Sequence, residues 1–432
     1  MLKSHHVRIR VVFLNRYFYP DHSATSQMLS DLAFALAEND FRVSVITSAQ
    51  RYDDPDARLA HYETMNSIDV YRVSTTRFGR LNILGRAIDY LTFYASASRK
   101  LWQLAQAGDV IVAKTDPPML SVIVAPIARA KRASLINWLQ DIFPEVAQLS
   151  HDGHGYVMGQ IYGALAAFRS RSLQSSALNV VLGQRMATKV RALGVHPDKI
   201  RIIHNWADGR AITPIKPADN HRRAAWALTE KFVVGYSGNL GHAHDYRTFL
   251  EAMRLTEVAS QVSAAAASGA SQPQHTPDIH WLFIGGGINL KRLQEEARNF
   301  GLLSVRFQDY EPRENLSESL SAADIHLVTL QPKLEGLIVP SKYYSICAAG
   351  RPTIFVGDPD GEIARILKHD EAGYTVSPGN GAELATYILQ LARDPMRIQA
   401  LGNNARRSFE RSYDHQRAMK EWLEAIESVA NP

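Results

Sequence analysis

The chain has 432 residues, of which 46% are hydrophobic and 21% are charged, and these proportions exclude a disordered or fibrous protein. Its 48 basic and 43 acidic residues give a net charge of +5, a bias too small to indicate a nucleic-acid-binding protein. Cys347 is the only cysteine, which excludes an intramolecular disulfide and makes the cytoplasm the expected compartment.

The N-terminal residues do not resemble a signal peptide, because the apolar run of residues 11–14 ends at Asn15 and Arg16. No stretch reaches the roughly 18 apolar residues that a transmembrane helix needs. Any contact with a membrane is therefore expected to be peripheral.

The first half of the chain alternates between short β-branched runs and helical patterns. Residues 9–15 are predicted as a buried strand, and Met28, Leu29 and Leu32 then recur at helical spacing before a second strand at 41–48. Further strands are predicted at residues 67–74, 109–115, 133–141, 177–184 and 199–208. Because alternating strands and helices build parallel sheets, residues 1–208 are predicted to form one α/β domain.

The second half repeats this alternation after residues 209–230, a proline-rich, polar stretch predicted to be a linker. Its strands are predicted within residues 231–241, 279–287, 304–310, 324–330 and 351–358. Residues 231–405 are thus a second predicted α/β domain, so that two Rossmann-like domains face each other across a cleft. Within it, residues 259–278 are rich in Ala, Ser and Pro and are predicted to form a surface loop. The last segment, 406–432, is predicted as a helix.

Two loops that follow strands of the second half are rich in glycine. Gly238 and Gly241 follow one strand, and Gly285, Gly286 and Gly287 follow the next. Such loops lead into helix N-termini, so their amides are predicted to bind an anion, although tight turns with packing glycines would produce the same pattern. The G-x-G-x-x-G spacing of dinucleotide-binding enzymes is not met, which disfavours a nicotinamide enzyme.

The segment Val339, Pro340, Ser341, Lys342 precedes a predicted helix. Proline suits the first turn and serine can cap it, so the amides here are predicted to point toward the cleft. A cation at a helix start is unfavourable unless an anion lies nearby. Lys342 is therefore predicted to bind a diphosphate, with a solvated surface lysine as the alternative.

Six stretches occur in an order that is specific although no single one is decisive. They are YFYPDHSATSQMLSDLAFALA, WLQDIFPEVA, HNWAD, YSGNLG, FIGGG and VPSKYYSICAAGRPTIFVGD. In this order they resemble the retaining family 4 glycosyltransferases of GT-B fold, and most closely the bacterial exopolysaccharide and O-antigen branch with its colanic-acid-type transferases. The resemblance spans nearly the whole chain.

The resemblance implies how the two domains divide the reaction. Residues 231–405 would hold a nucleoside-diphosphate sugar, with UDP favoured, and residues 1–208 a polyprenyl-linked or oligosaccharide acceptor. The helix at 406–432 would pack back on the first domain. The acceptor hydroxyl would attack on the side from which the diphosphate leaves, in the cytoplasm or at the inner face of the plasma membrane. No cofactor or metal is expected.

Many family members have two glutamates, with seven residues between them, around the donor sugar and ribose. Here Glu335 is assigned to the donor sugar, whereas Ser345 stands where the second glutamate is expected. The resemblance therefore places Ser345 in the donor site and leaves the ribose contact open.

The family often has an arginine and a lysine in the first glycine loop. Asn239 and His244 stand at those positions here. Another basic residue must then neutralise the negative charge of the leaving diphosphate. Lys342 is assigned this role, with Arg247 as the second candidate.

The resemblance also assigns residues of the first domain. Ser23, Ala24 and Thr25 replace the paired glycines that admit the donor phosphate in related enzymes. Asp141 follows a strand where relatives have a cleft-facing His or Asp, so an acceptor-site role is predicted, with a helix N-cap as the alternative.

Residues 77–105 mix apolar side chains with five basic residues. A basic amphipathic helix of this kind can lie on an anionic bilayer, but an ordinary helix covering the sheet would have the same pattern.

Two other functions fit the same sequence. A nucleotide-sugar 2-epimerase shares the fold and needs no acceptor, and a non-catalytic nucleotide-sugar-binding protein would explain the missing second glutamate.

Overall fold

The computed structural model describes residues 9–21, 23–51, 54, 59–79, 83–150, 156–267 and 278–430. The chain divides into two compact units. Unit 1 comprises Met1–His204 together with Ala418–Pro432, and unit 2 comprises Asn205–Arg417.

Unit 1 contains an eight-stranded sheet in the order β3-β4-β2-β1-β5-β6-β7-β8, in which β3 alone runs antiparallel to its neighbour. The strands are β1 (Arg10–Leu14), β2 (Arg42–Ser48), β3 (Tyr62–Met65), β4 (Ile68–Val73), β5 (Val110–Lys114), β6 (Ser134–Trp138), β7 (Leu178–Val181) and β8 (Ile200–Ile202). The helices between them are α1 (Ala24–Glu38), α2 (Ile83–Leu104), α3 (Leu120–Lys131), α4 (Glu145–Ser150), α5 (Tyr156–Ser175) and α6 (Gln184–Ala192).

Unit 2 contains a six-stranded, fully parallel sheet in the order β11-β10-β9-β12-β13-β14. The strands are β9 (Phe232–Ser237), β10 (Ile279–Ile284), β11 (Val305–Gln308), β12 (Ile325–Thr329), β13 (Thr353–Val356) and β14 (Gly373–Val376). The helices are α7 (His221–Ala225), α8 (Arg247–Ala267), α9 (Ile288–Asn299), α10 (Leu316–Ser321), α11 (Lys342–Ala348), α12 (Glu362–Asp370), α13 (Gly381–Ala392) and α14 (Pro395–Ser412); α15 (His415–Ala430) ends the described chain. The predicted α/β class is confirmed for both halves.

The two faces of the unit 1 sheet are covered by different helices. Ala113 and Leu135 belong to a core cluster that contains buried residues of α2 and α3. The next strand residue along β5, Lys114, points the other way, and its ammonium donates to the Thr25 carbonyl at the start of α1 (2.7 Å). Trp138, at the end of β6, packs against Trp422 of α15 with 4.6 Å between ring centroids. The sheet therefore lies between α2 and α3 on one side and α1 and α15 on the other.

The C-terminal segment is two helices rather than the one predicted for 406–432, because the backbone between α14 and α15 pairs with Ala207. The Ala207 amide donates to the Tyr413 carbonyl (3.2 Å), and the His415 amide donates to the Ala207 carbonyl (3.0 Å). From Ala418 onward the chain belongs to unit 1. Residues 431–432 lie outside the described residues.

Residues 209–230, predicted as a linker, are part of unit 2. The buried guanidinium of Arg223 in α7 donates to both carboxylate oxygens of Asp324 at 3.0 Å, and the side-chain amide of Asn220 donates to the Glu318 carbonyl. These buried polar bonds attach the segment to the sheet beside it, which composition alone does not indicate.

The segment predicted as a loop at 259–278 is helical in its first part, since α8 continues to Ala267. Alanine has the highest helix propensity, so its run of alanines extends the helix. Residues 268–277 lie outside the described residues. Within the described chain, no helix combines the length and apolarity needed to cross a bilayer.

Candidate active site

The glycine loops after β9 and β10 are hydrogen-bonded to each other. The Gly238 amide donates to the Ile284 carbonyl and the Leu240 amide donates to the Gly286 carbonyl, both at 2.8 Å. Gly241 donates its amide to Nδ1 of His244 (3.1 Å). The amides of Gly238 and Gly241, predicted to bind an anion, are therefore engaged within the protein.

Gly285 and Gly287 allow the two loops to approach closely. A Cβ atom on Gly285 would lie 2.5 Å from the Gly238 carbonyl oxygen, and one on Gly287 would lie 2.4 Å from Oδ1 of Asn239. Both have positive φ, +127° and +119°, which side chains rarely adopt. The Gly285 amide donates to the Gln308 carbonyl (2.9 Å), and a Cβ on Gly286 would be 3.2 Å from the Tyr310 ring. These contacts correspond to packing glycines.

Lys342 lies beside the first glycine loop. Its Nζ donates to the hydroxyl of Tyr236, is 3.9 Å from the centroid of that ring and is 3.4 Å from the Asn239 carbonyl oxygen. Gly238 has a φ of +112°, which side chains rarely adopt, and a Cβ at this position would be in van der Waals contact with Nζ at 3.7 Å. Burial lowers the pKa of Lys342 to about 7, and no carboxylate of the described residues counteracts this. The structure thus places Gly238 and Asn239 beside the ammonium of Lys342, whose charge no carboxylate of the described residues neutralises.

His244 supplies no positive charge at this site. Burial, followed by repulsion from Lys342, lowers the pKa of His244 to about 3. The imidazole is therefore neutral at physiological pH. Lys342 remains as the base beside this loop.

The helix that begins at Lys342 is short. Ser341 was predicted to cap it but does not. Ser341 is exposed and has helical dihedrals (φ −63°, ψ −24°), so it lacks the extended conformation of a capping residue and forms no side-chain cap. Val339 and Pro340 are buried ahead of it. Ser345 is half-buried and lies three residues after Lys342, which places both on one face of α11.

Glu335 is buried, and its carboxylate lies at the start of α12. Oε1 accepts a hydrogen bond from the Glu362 amide (2.8 Å). An anion is favourable at a helix N-terminus, so this contact positions α12 as well as Glu335. Arg247, the second candidate for the diphosphate, has an exposed side chain on the first residue of α8.

In unit 1, Asp141 follows β6 and has a buried oxygen, Oδ1, without a hydrogen-bond partner among the described residues. Burial, and then the charge of Asp116, raise the pKa of Asp141 to about 7, while a hydrogen bond from Thr115 acts in the opposite direction. This carboxyl group can therefore exchange a proton near neutral pH.

Asp116 was not predicted as a site residue. Burial raises the pKa of Asp116 to about 6, although Arg16 and Lys114 lower it. The hydroxyl of Thr25 donates to its Oδ2 at 3.5 Å. Asp116 directly follows β5, and Asp141 follows β6, the strand that pairs with β5. Both strands were predicted, so the position of Asp116 after a strand was the sequence signal that could have identified it as a site residue.

Arg16 follows β1 and was also missed. Its buried guanidinium lies 5.2 Å from the Tyr17 ring, 5.1 Å from the Tyr90 ring and 3.8 Å from the Asp89 carboxylate. The carboxyl ends of β1, β5 and β6 therefore bring together one guanidinium and two carboxyl groups with raised pKa values.

The predicted residues of the first loop lie at the start of α1. Ser23 precedes the helix, its amide donates to Oδ1 of Asp21 (2.8 Å), and its buried hydroxyl forms no hydrogen bond with the described residues. Ala24 is the first residue of α1, and Thr25 contacts Asp116 as described above. The structure thus connects the predicted loop to the acidic pair.

The two halves of the chain match two family models. Residues 24–206 match the glycosyl transferase 4-like domain, and residues 218–408 match glycosyl transferases group 1. This chain is a family 4 glycosyltransferase. The resemblance to family 4 glycosyltransferases, inferred from the six sequence stretches, is confirmed.

A curated relative of this glycosyltransferase is the probable glycosyltransferase WbjE of Pseudomonas aeruginosa. The two are 24% identical over 364 residues, which cover 83% of this chain and 84% of WbjE. Enzyme activity as a glycosyltransferase, predicted from the resemblance, is supported by this relative and by the family models.

Solved structures establish the fold of this glycosyltransferase. HepE of Anabaena, crystallised with UDP, superposes with a TM-score of 0.71 at 16% identity, over 98% of this chain and all (100%) of HepE. Sucrose-phosphate synthase of Thermosynechococcus elongatus gives a TM-score of 0.72 at 17% identity, over 98% and 99% of the two chains. WaaG, a glycosyltransferase of lipopolysaccharide biosynthesis, gives 0.65 at 14%, over 98% and 100%. The predicted GT-B fold is confirmed.

Proposed function

We propose that this glycosyltransferase transfers a sugar from a UDP-sugar to a lipid-linked or oligosaccharide acceptor, with retention of anomeric configuration, in the synthesis of a bacterial surface polysaccharide. The observation that carries the proposal is the ammonium of Lys342, held over the Tyr236 ring beside Gly238 without a compensating carboxylate in the described part of the chain. A partly buried cation that no carboxylate of the described residues neutralises is stabilised when an anion such as a diphosphate binds.

Three named proteins support the choice of substrates. HepE was crystallised with UDP and with UDP and glucose, and WaaG is involved in lipopolysaccharide biosynthesis. WbjE is a probable glycosyltransferase. A UDP-sugar donor and an acceptor that belongs to a surface polysaccharide are consistent with all three.

Unit 2 would stabilise the leaving group. As the bond between the sugar C1 and the phosphate oxygen breaks, negative charge develops on the diphosphate, and the charged form of Lys342 would stabilise it. The new bond forms between C1 and the acceptor oxygen on the same side, and the hydroxyl proton leaves with the diphosphate. Because Lys342 provides the positive charge, we propose that transfer needs no metal ion or other cofactor.

Unit 1 would hold the acceptor. Oδ1 of Asp141, which has no hydrogen-bond partner among the described residues, and the nearby Asp116 can accept hydrogen bonds from sugar hydroxyls. Thr25 connects this pair to the start of α1. The enzyme would then act in the cytoplasm, at the inner face of the plasma membrane where a lipid-linked acceptor is presented.

The donor is tested by thermal shift with UDP-, GDP- and dTDP-sugars. A ligand that binds only the folded state raises Tm, so we expect the largest rise with a UDP-sugar and a smaller one with Lys342→Ala at the same concentration. A rise with GDP- or dTDP-sugars alone would contradict the assignment of UDP.

The reaction is tested with the donor identified in that screen. UDP release that depends on a polyprenyl-linked acceptor, persists in chelator and yields a product of unchanged anomeric configuration by NMR is the expected result. UDP release without acceptor, accompanied by a donor epimer, would instead show a 2-epimerase. Binding without any turnover would show a nucleotide-sugar-binding protein.

A further inference from the structure

Arg16 is an almost fully buried arginine that has few hydrogen-bond acceptors around it. The residue is 8% exposed, and its Nε is enclosed without a hydrogen-bond partner among the described residues. Its ion pair with Asp89, at 3.8 Å, is longer than a hydrogen bond. A guanidinium is charged and carries five N–H donors, so burial without acceptors is unfavourable. The side chain is therefore placed to receive acceptor atoms from a ligand.

Asp89, the ion-pair partner of Arg16, is already occupied by other donors. Its Oδ1 accepts hydrogen bonds from the Thr76 hydroxyl (2.7 Å) and the Phe78 amide (2.9 Å), and its Oδ2 accepts one from the Gly79 amide (2.7 Å). An ionised carboxylate has about four acceptor sites, and three of them are used here. Asp89 therefore holds residues 76–79 and leaves the donors of Arg16 to another acceptor.

Two tyrosine rings orient the guanidinium. Its Cζ lies 5.2 Å from the centroid of the Tyr17 ring and 5.1 Å from that of the Tyr90 ring. Contacts of this kind stabilise the cation and restrict how its plane can turn. A guanidinium in a fixed plane presents parallel N–H groups along its edge, and this arrangement suits bidentate binding of a carboxylate or a phosphate.

The backbone of Arg16 is fixed by strands on both sides of β1. Its amide donates to the Asp116 carbonyl after β5 (2.6 Å). Its carbonyl accepts hydrogen bonds from the Ser48 amide (2.9 Å) and the Thr47 hydroxyl (3.0 Å) of β2. A side chain that starts from such a rigid position loses little conformational freedom when it binds a ligand.

Arg16 shares one site with the two carboxyl groups assigned to the acceptor. Burial raises the pKa of Tyr90, and the charges of Asp116 and, more weakly, Asp141 raise it further. Arg16 lowers the pKa of both Tyr90 and Asp116. Charges shift pKa values in this way over short distances. An anion bound by Arg16 would thus lie beside the groups that bind sugar hydroxyls.

A sugar carboxylate fits this site better than a phosphate. A carboxylate is planar and adds one negative charge, whereas the diphosphate of a lipid carrier adds about two. Further negative charge next to Asp116 and Asp141 is unfavourable, and less so for a single charge. Since burial raises the pKa of Asp141 to about 7, this carboxyl can stay protonated beside a monoanion. The hydroxyls of an acidic sugar would also lie on the same ring as its carboxylate.

We propose that Arg16 is a specificity-determining residue that binds the carboxylate of an acidic sugar, a uronate, at the end of the acceptor. Two N–H groups along one edge of the guanidinium donate to the two carboxylate oxygens, and the sugar hydroxyls are left to Asp116 and Asp141. This inference rests on the proposed transfer to a saccharide acceptor and names its class, an acidic terminal sugar rather than a neutral one.

Binding is tested by saturation-transfer NMR on the full chain with the methyl glycosides of glucuronate, galacturonate and mannuronate. Each is compared with the neutral hexoside of the same configuration. We expect at least one uronate to bind, and its neutral counterpart to bind at least tenfold more weakly, because a bidentate charged contact is lost. Failure of all three uronates to bind, or equal binding of a neutral counterpart, would overturn the proposal.

Substitutions of Arg16 identify the contact. Arg16→Gln should weaken uronate binding about thirtyfold and change binding of the neutral hexoside less than twofold. Arg16→Lys keeps the charge without the planar fork and should still bind the uronate about tenfold more weakly than the unaltered chain. The matched control, Arg201→Gln, alters an exposed arginine of β8 and should bind like the unaltered chain. Equal losses for uronate and hexoside would show that Arg16 has a structural role alone.

Methyl phosphate is the probe for the other anion. If it binds more tightly than every uronate and loses its binding in Arg16→Gln, the site belongs to a phosphate and the proposal is wrong. In transfer assays, a uronate-terminated acceptor should have a kcat/KM at least tenfold above that of its neutral counterpart. The preference should be the same with and without a polyprenyl diphosphate on the acceptor.

Donor binding separates this inference from the proposed function. Every Arg16 variant should retain the thermal shift produced by a UDP-sugar, which also shows that the variant is folded. Uronate binding by a chain that transfers no sugar would refute the proposed function but not the carboxylate site. Transfer to neutral acceptors alone would refute the carboxylate site but not the proposed function.

Discussion

The ammonium of Lys342 lies 3.9 Å from the centroid of the Tyr236 ring and donates a hydrogen bond to the hydroxyl of the same tyrosine. Tyr236 is buried, and burial raises the pKa of its hydroxyl well above the usual value, so the partner of Lys342 is a neutral phenol. The contact orients the ammonium through a cation–π interaction and a hydrogen bond without neutralising it. The charge remains available to an anion above the glycine loop.

Lys342→Ala should lower kcat for transfer by about 10²–10³-fold, because it removes a positively charged group placed at the leaving diphosphate. Lys342→Arg should not restore the rate, since a planar guanidinium is longer and differs in shape from the ammonium over the ring. Steady-state kinetics with the donor measures both. The control, Lys368→Ala, alters an exposed lysine of α12 and should retain full activity. Equal rates for Lys342→Ala and the control would remove Lys342 from the site.

Donor affinity should fall as pH rises through about 7. Burial lowers the pKa of Lys342 to about 7, so the free enzyme loses the ammonium above that pH, whereas a bound diphosphate would keep it protonated. Binding of a UDP-sugar at about pH 8.5 should therefore be accompanied by uptake of a proton. Its affinity at about pH 8.5 should be up to about thirtyfold lower than at about pH 6. Calorimetry in buffers of different ionisation enthalpy measures the uptake. Lys342→Ala should show neither effect.

Asp141→Asn should stabilise the protein while reducing transfer. Because burial raises the pKa of Asp141 to about 7, the folded state binds more protons than the unfolded state between about pH 4 and 7, and this carboxyl lowers stability as pH rises. The asparagine variant should gain about 1–2 kcal/mol in the free energy of unfolding at about pH 8, and less at about pH 5. Urea denaturation at the two pH values measures the gain. A loss of stability at about pH 8 would show that Asp141 is a structural residue.

Glu335→Ala should cost about 1–2 kcal/mol in the free energy of unfolding, because the Glu362 amide at the start of α12 loses its acceptor. Glu335→Gln keeps an acceptor oxygen and should unfold within about 0.5 kcal/mol of the unaltered chain. If Glu335 also contacts the donor sugar, the glutamine variant should have a raised KM for the donor despite its normal stability. Unchanged KM in that variant would restrict Glu335 to positioning α12.

Trp422→Ala should cost about 3–5 kcal/mol in the free energy of unfolding. Trp422 is fully buried in α15, and its ring centroid lies 4.6 Å from that of Trp138 at the end of β6. Trp102→Ala, which removes a half-exposed tryptophan of α2, should change stability by about 0.5 kcal/mol at most. Denaturant unfolding followed by circular dichroism measures both. Similar losses for the two variants would contradict the role of the Trp138 contact.

The strands that position the site could be predicted because each is a short apolar run bounded by turn residues. Lys114 and Trp138, the last residues of β5 and β6, fall within segments predicted as strands, and so does the glycine loop after β9. The break between α14 and α15 could not be predicted, since it depends on pairing with Ala207, about two hundred residues earlier.

The sequence by itself determined the α/β class, the alternation of strands and helices in both halves and the loops that carry the site, because periodicity and turn chemistry are local properties. Tertiary structure alone decided that Asp116 and Arg16 accompany Asp141, that several glycine amides are engaged between loops, and that Lys342 stands on a tyrosine ring. These features depend on burial and on groups distant in the chain, and both arise only when the sheets form.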